Sequence, residues 1–400
     1  MVPMKSSGRS RNCNLLVLLC GILVVPAAAQ QPMNTRAQAF QRAHALESLG
    51  RKMFFDSSLS ASKTISCATC HDPAFANGPS NALPVQPGGK SGRDWGIRAV
   101  PSLRYLQAAP PFTEHRFDEQ TNGDDSVDNG PSGGLTWDGR VDRGRQQARI
   151  PLLSRYEMAN GSKEDVVSAA LRAPYAKELK ALSAGSDAAH LFETILEAFE
   201  TWEQNSAEFY PYSSKYDAWL AGKAQLTANE LRGLKLFTDP KKGNCARCHI
   251  ASRGVNGTPP QFTDYGLIAL GVPRNRAIPA NADPNWYDLG LCGPERTDFS
   301  DRSEYCGRFM TPTLRNVAAR KVFFHNGVVR SLGDAVAFYI NRDKDSNKFD
   351  DLPTKYQANL EMDPPFGRPA DSPPVLTKPE TAAIVDFLGT LTDGFDSGNK

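Results

Sequence analysis

Two short segments carry residues whose types and spacing could do chemistry: Cys67-Ala68-Thr69-Cys70-His71 and Cys245-Ala246-Arg247-Cys248-His249. Two thiols three positions apart with a histidine directly behind them form a C-x-x-C-H attachment site. The thiols add to the two vinyl groups of a c-type haem, and the imidazole ligates its iron. C-x-x-C alone also serves as half of a zinc site or as a redox dithiol. A zinc site needs further Cys or His nearby, and neither segment has them. The reading is therefore two covalent c-type haems, on Cys67, Cys70 and His71 and on Cys245, Cys248 and His249. The two histidines are 178 residues apart, too far for one small cytochrome, so each haem has its own domain.

What such a haem does depends on the other side of its iron: an open position admits peroxide or oxygen, a filled one favours electron transfer. The remaining histidines are His44, His115, His190 and His325, and none falls between His71 and His115. The first haem is expected to be open.

The elements that must position these groups are mainly helical. Leu191, Ile195, Phe199 and Trp202 recur at helical spacing. Thr227 and Glu230 form a capping box ahead of Leu231, Leu234 and Phe237. Thr377, Pro379 and Glu380 open a last helix carrying Ile384, Val385, Leu388 and Leu391, expected to stop at Gly394. No run of alternating strands appears, and no internal repeat is evident beyond the duplicated haem motif. Long loops run from Asp118 to Gly134 and from Pro364 to Pro374.

The chain has 400 residues, 40% hydrophobic and 22% charged, enough for two or three folded domains. Its 46 Lys+Arg against 44 Asp+Glu leave no basic excess for nucleic acid. Lys5, Arg9 and Arg11, the apolar run Leu15 to Val25 and Ala27-Ala28-Ala29 have the order of a secretory signal. The run is too short for the roughly 20 residues of a membrane span. Cleavage after Ala29 is expected, giving an exported, periplasmic protein with no membrane anchor. It removes three basic residues with Cys13 and Cys20, leaving a net charge of −1 and six cysteines in an oxidising compartment. The expected organisation is a signal peptide over 1–29 and two helical domains, 30–205 and 206–400. Cys292 and Cys306, 14 residues apart, are expected to form a disulfide.

Leu49-Gly50, Phe55-Asp56, Leu59-Ser60 and Ile65-Ser66 ahead of the first motif resemble the di-haem cytochrome c peroxidase/MauG family. So do Trp137-Asp138-Gly139-Arg140, Pro312-Thr313-Leu314-Arg315-Asn316-Val317 and Phe324-His325-Asn326-Gly327. The likeness is nearest to the MauG-like branch, which includes MauG and MbnH. It implies two cytochrome c-like helical domains, one haem each, joined by long connecting loops.

The resemblance also implies roles. In the peroxidase branch a Met ligates the second haem; Tyr339 falls where that Met would be, as in MauG, and Met310 is the alternative ligand. Glu157 corresponds to the distal acid that moves a proton during peroxide cleavage. Gln147 would hydrogen-bond the bound oxygen, Pro151 would shape the pocket wall, and Trp137 corresponds to the Trp between the haems. Family members hold calcium with help from an Asn, where this chain has Ala99, with Arg320 and Val322 as carbonyl donors. MauG's surface Trp before its second motif is replaced by Gly243-Asn244, so an identical route to a partner is not expected.

The function implied is a periplasmic di-haem oxidase of the MauG-like kind. Hydrogen peroxide would generate a high-valent di-haem state that oxidises Trp or Tyr of a partner protein. One alternative is a cytochrome c peroxidase fed by a small cytochrome or copper protein. The other is a di-haem electron carrier with no enzyme activity.

Overall fold

Helices dominate the computed structural model, which describes residues 35–117, 126–254, 256–344 and 349–396. The segment expected to be a secretory signal, with Cys13 and Cys20, and positions 118–125 of the acidic loop lie outside the described residues. The chain divides into Met1–Phe40 and Gln41–Lys400. The second unit holds both haem motifs and all of the helices except the start of the first.

The helices are α1 (Arg36–Phe54), α2 (Cys67–Cys70), α3 (Gly144–Leu153), α4 (Lys163–Ala170), α5 (Ala176–Leu182) and α6 (Ala188–Glu203), then α7 (Ser206–Phe209), α8 (Lys215–Leu220), α9 (Ala228–Thr238), α10 (Leu332–Asn341) and α11 (Lys378–Gly389). Among the described residues the strands form two short antiparallel pairs, with a few isolated bridges elsewhere. Pro87–Gly88 (β1) pairs with Asp94–Trp95 (β2), and Leu267–Ile268 (β3) with Phe309–Met310 (β4), Leu267 opposite Met310.

Local chemistry starts these helices where the sequence places them. Asp187 caps α6 by accepting from the Ala189 and His190 amides, and Leu191, Ile195, Phe199 and Trp202 are all buried along it. Reciprocal Thr–Glu boxes open α9 (Thr227 and Glu230) and α11 (Thr377 and Glu380). The last helix ends at Gly389, not Gly394. Thr390 Oγ1 donates to the Phe387 carbonyl, and the Leu391 carbonyl accepts from the Asn316 amide, so the chain leaves the helix to make tertiary bonds.

Two main apolar cores result. One gathers Leu49, Phe54, Leu152, Val166, Leu179 and Phe199 from α1 and α3 to α6. The other gathers Phe237, Phe262, Val336, Ile384 and Phe387, mostly from α9 to α11. A small third core surrounds the Cys292–Cys306 disulfide. Each buried Leu or Phe contributes about 1.5–3 kcal/mol.

Contrary to the expectation of no repeat beyond the haem motif, both main cores are built on one device. Gly50, Lys52, Phe54 and Asp56 of the α1 end recur as Gly233, Lys235, Phe237 and Asp239 at the α9 end. A Cβ on Gly50 would lie 2.0 Å from the Ala198 carbonyl oxygen of α6, and one on Gly233 would lie 1.9 Å from that of Ala383 on α11. Four residues on, Trp202 and Phe387 face the same glycines. Asp56 and Asp239 then each accept an amide two residues ahead at 2.8 Å, turning the chain toward a haem motif. Four matching residues among variable ones are too sparse to read as a repeat in sequence. Replacing either glycine with Ala forces a helix pair apart and is expected to cost about 1–3 kcal/mol, measurable as a lowered denaturation midpoint of the haem-loaded protein.

Candidate active site

Each haem motif folds into a tight turn that returns its histidine to its first cysteine. The His71 amide donates to the Cys67 carbonyl and the His249 amide to the Cys245 carbonyl, both at 2.9 Å. Ser66 and Thr69 box the start of α2, while Asn244 begins the second turn in the left-handed region at φ 49°. His71 Nδ1 meets the Asn77 carbonyl at 3.1 Å and His249 Nδ1 meets that of Phe262 at 3.0 Å. A backbone partner on Nδ1 orients the ring and leaves Nε2 for a metal. Burial lowers both imidazoles, His71 to about 4, so each is neutral and able to ligate. Burial raises the four thiols, Cys70, Cys245 and Cys248 to about 12.

Both motifs line one continuous cavity, and so do Trp137, Gln147, Pro151, Glu157, Met310 and Tyr339. Gln147 and Pro151 are one turn apart on α3 and share a face. The Glu157 turn follows: its amide donates to the Ser154 carbonyl at 3.0 Å and its carbonyl accepts from Gly89 at 2.8 Å. A Cβ on Gly88 would fall 2.0 Å from the Tyr156 carbonyl oxygen, so only glycine lets β1 press against this turn. Burial raises the Glu157 carboxyl, partly opposed by Ser154 and Arg140.

Trp137 is held at both ends. Its Nε1 donates to the Ala99 carbonyl at 2.7 Å, and its own carbonyl accepts from the Met310 amide at 2.8 Å. The next residue, Asp138, is fully buried. Burial alone would raise it, but Arg98 and Arg140 outweigh that and hold it below the usual carboxylate range. Arg98 bridges Asp138 and Asp288 with 2.6 Å contacts to each, fastening this turn to the segment before the disulfide.

Tyr339 enters the cavity from α10, which Ser331 caps by accepting the Asp334 amide. Its ring stacks on Phe366 at 5.6 Å, with Phe324 at 6.2 Å. Burial raises its hydroxyl, and the nearby Cys248 and Cys245 sulfurs raise it further. Met310 also lines the cavity, but its side chain packs against the third core. His325 lines the cavity with its ring stacked 3.5 Å from Phe309 and Nε2 facing Asp351 at 3.1 Å. His44, His115 and His190 stay outside, beside Glu47, Asp128 and Asp187. Sequence reasoning missed Glu203 and the side chain of Arg320, which also face the cavity. Burial pushes Glu203 up to about 8. Neither belongs to a short motif, so no local signal marks them.

The model of the di-haem cytochrome c peroxidase family matches residues 44–225. MauG of Paracoccus denitrificans is 32% identical over 393 residues, 93% of either chain. The chain belongs to the di-haem cytochrome c peroxidase family. This di-haem peroxidase is also 29% identical over 303 residues to the cytochrome c551 peroxidase of Pseudomonas aeruginosa, covering 73% of this chain and 71% of that one. The diheme peroxidase BthA of Burkholderia thailandensis superposes with a TM-score of 0.77 at 36% identity, over 87% and 86% of the two chains. The di-haem peroxidase is thus a peroxidase-type oxidoreductase with two c-type cytochrome domains and two covalently bound haems. Its residues fit those groups: two thiol pairs and two oriented imidazoles open into one cavity. The expectation of a non-enzymatic carrier is set aside.

Proposed function

We propose that this di-haem peroxidase is MauG-like, using hydrogen peroxide to oxidise a Trp or Tyr of a partner protein. The observation that carries this reading is Tyr339, whose phenol enters the cavity lined also by Cys245, Cys248 and His249. When bound, the haems supply peroxide reduction and hold the oxidising equivalents. Cys67 and Cys70 tether the first and Cys245 and Cys248 the second, with His71 and His249 as ligands through Nε2.

Tyr339 would hold the second haem through its phenol oxygen, which burial keeps protonated until a cation offsets that cost. At the first site, no described histidine other than His71, His249 and His325 lines the cavity. Glu157 takes a proton from peroxide and returns it to the departing oxygen. Gln147 would donate to a peroxide oxygen held in the cavity, and Pro151 holds the adjoining wall. Trp137 passes electrons between the halves, its indole kept in place by the Ala99 carbonyl.

Met310 favours a second reading, since its thioether also lines the cavity. With it as ligand the protein would be a cytochrome c peroxidase drawing electrons from a small cytochrome or copper protein. Low-temperature EPR of the ferric protein separates the two. One high-spin and one low-spin His/Tyr haem, then a long-lived oxidised state after one equivalent of peroxide, supports the MauG-like reading. A methionine-sulfur charge-transfer band overturns it.

Replacing Trp137 with Phe is expected to slow oxidation of the second haem by peroxide at least ~10-fold, about 1.4 kcal/mol of added barrier. Stopped-flow absorbance at the second haem's band measures this. The two halves are proposed to be 30–205 and 206–400, and the location the periplasm, on the strength of the segment ending at Ala29. Among the described residues no helix is long and apolar enough to cross a membrane.

A further inference from the structure

Arg320 follows the short turn Val317–Ala319 and lines the cavity beside the first haem motif. Its Nη2 donates to the Val100 carbonyl at 2.9 Å. Its Nη1 lies 3.7 Å from where a Cβ on Gly78 would stand, next to the Asn77 carbonyl that orients His71. The positive charge is near enough to lower the His71 imidazole. Among the described residues no carboxylate pairs with it, and burial alone acts on it, pushing it down to about 10. Two other guanidiniums that line the cavity are provided for differently: Arg98 has Asp138 and Asp288, and Arg315 has both oxygens of Asp217.

Arg320 is half-buried, and a guanidinium drawn partly out of water with no countercharge is disfavoured unless an anion joins it. Five N–H groups in a fixed fork suit a carboxylate. This cavity takes in carboxylates by its own chemistry, because each haem brings two propionates. We infer that Arg320 binds a propionate of the haem held by Cys67, Cys70 and His71 and supplies its countercharge. The inference rests on the assignment of that haem to the first motif.

The same geometry bears on calcium. The Ala99 carbonyl is taken by the Trp137 indole and the Val100 carbonyl by Arg320 itself. Protein donors thus engage both of these backbone acceptors beside the first haem motif.

The test uses full-length haem-loaded protein and the variants Arg320→Gln and Arg320→Lys, each checked for two haems by pyridine haemochrome. Potentiometry of the first haem is the main readout. Losing the cation favours the ferric state, so Arg320→Gln should lower the ferrous-to-ferric ratio at fixed potential at least tenfold, about 59 mV for one electron. The propionate-bending band in resonance Raman should shift as well. Arg320→Lys, which keeps the charge but not the fork, should restore the potential while leaving the band shifted. Treating wild type with a chelator should change neither.

An unchanged potential and band in Arg320→Gln would overturn the inference, as would their loss from wild type on chelation. If the glutamine variant does not assemble, an unshifted band in Arg320→Lys overturns it alone. Mass mapping of the Cys67–Cys70 peptide separates the outcomes. Haem attached there with Arg320 indifferent removes only this inference, whereas a peptide without haem removes the assignment beneath it.

Discussion

Replacing Glu157 with Gln should slow the reaction with peroxide by about 10²- to 10⁴-fold, the usual worth of a positioned general acid–base group. Glutamine preserves shape and polarity but cannot take the peroxide proton. The resting spectra of both haems should therefore survive while single-turnover rates collapse. The pH dependence gives an independent check. Burial raises the carboxyl above the ordinary glutamate value, so it stays protonated to higher pH and becomes a base only above that raised value. Peroxide reactivity should rise with pH through an acid limb displaced upward from 4.5, and Glu157→Gln should abolish that limb. A wild-type rate in the variant, or an unaltered limb, would remove Glu157 from the chemistry. Arg140 works in the opposite direction on the same carboxyl, so losing that cation should move the limb still higher.

The second large effect is expected at Tyr339. A phenolate is an anionic oxygen donor that favours ferric and higher states, whereas a thioether favours ferrous iron. Axial ligands set haem potentials over a span of roughly 0.8 V. Tyr339→Met should raise the second haem's potential by a sizeable part of that span and introduce a methionine-sulfur charge-transfer band. The oxidised state formed with one equivalent of peroxide should then decay within the mixing experiment rather than persist. Tyr339→Phe distinguishes ligation from packing, because it keeps the stack on Phe366 and removes only the oxygen. If the phenylalanine variant keeps the wild-type EPR signal, Tyr339 is a core aromatic and Met310 becomes the ligand.

Much of this protein was legible from neighbours in the chain. The haem motifs are local because a thioether pair and its histidine must sit on one turn, and the caps at Asp187, Thr227, Ser331 and Thr377 act within three residues. These features depend on short-range hydrogen bonds, which a sequence states directly. What needed the tertiary structure is contact between distant residues. Gly50 and Gly233 fall into equivalent roles only when α6 and α11 press on them. The last helix stops at Gly389 because residues beyond it find partners elsewhere, Asn316 among them. Asp138 and Asp288, 150 positions apart, meet on Arg98. Arg320 is one arginine among many until the fold encloses it beside His71, with no carboxylate of the described residues paired to it. Sequence determines which groups are present and how each turn is built; burial and long-range proximity, which set charge and reactivity, arise only when the chain closes around the cavity.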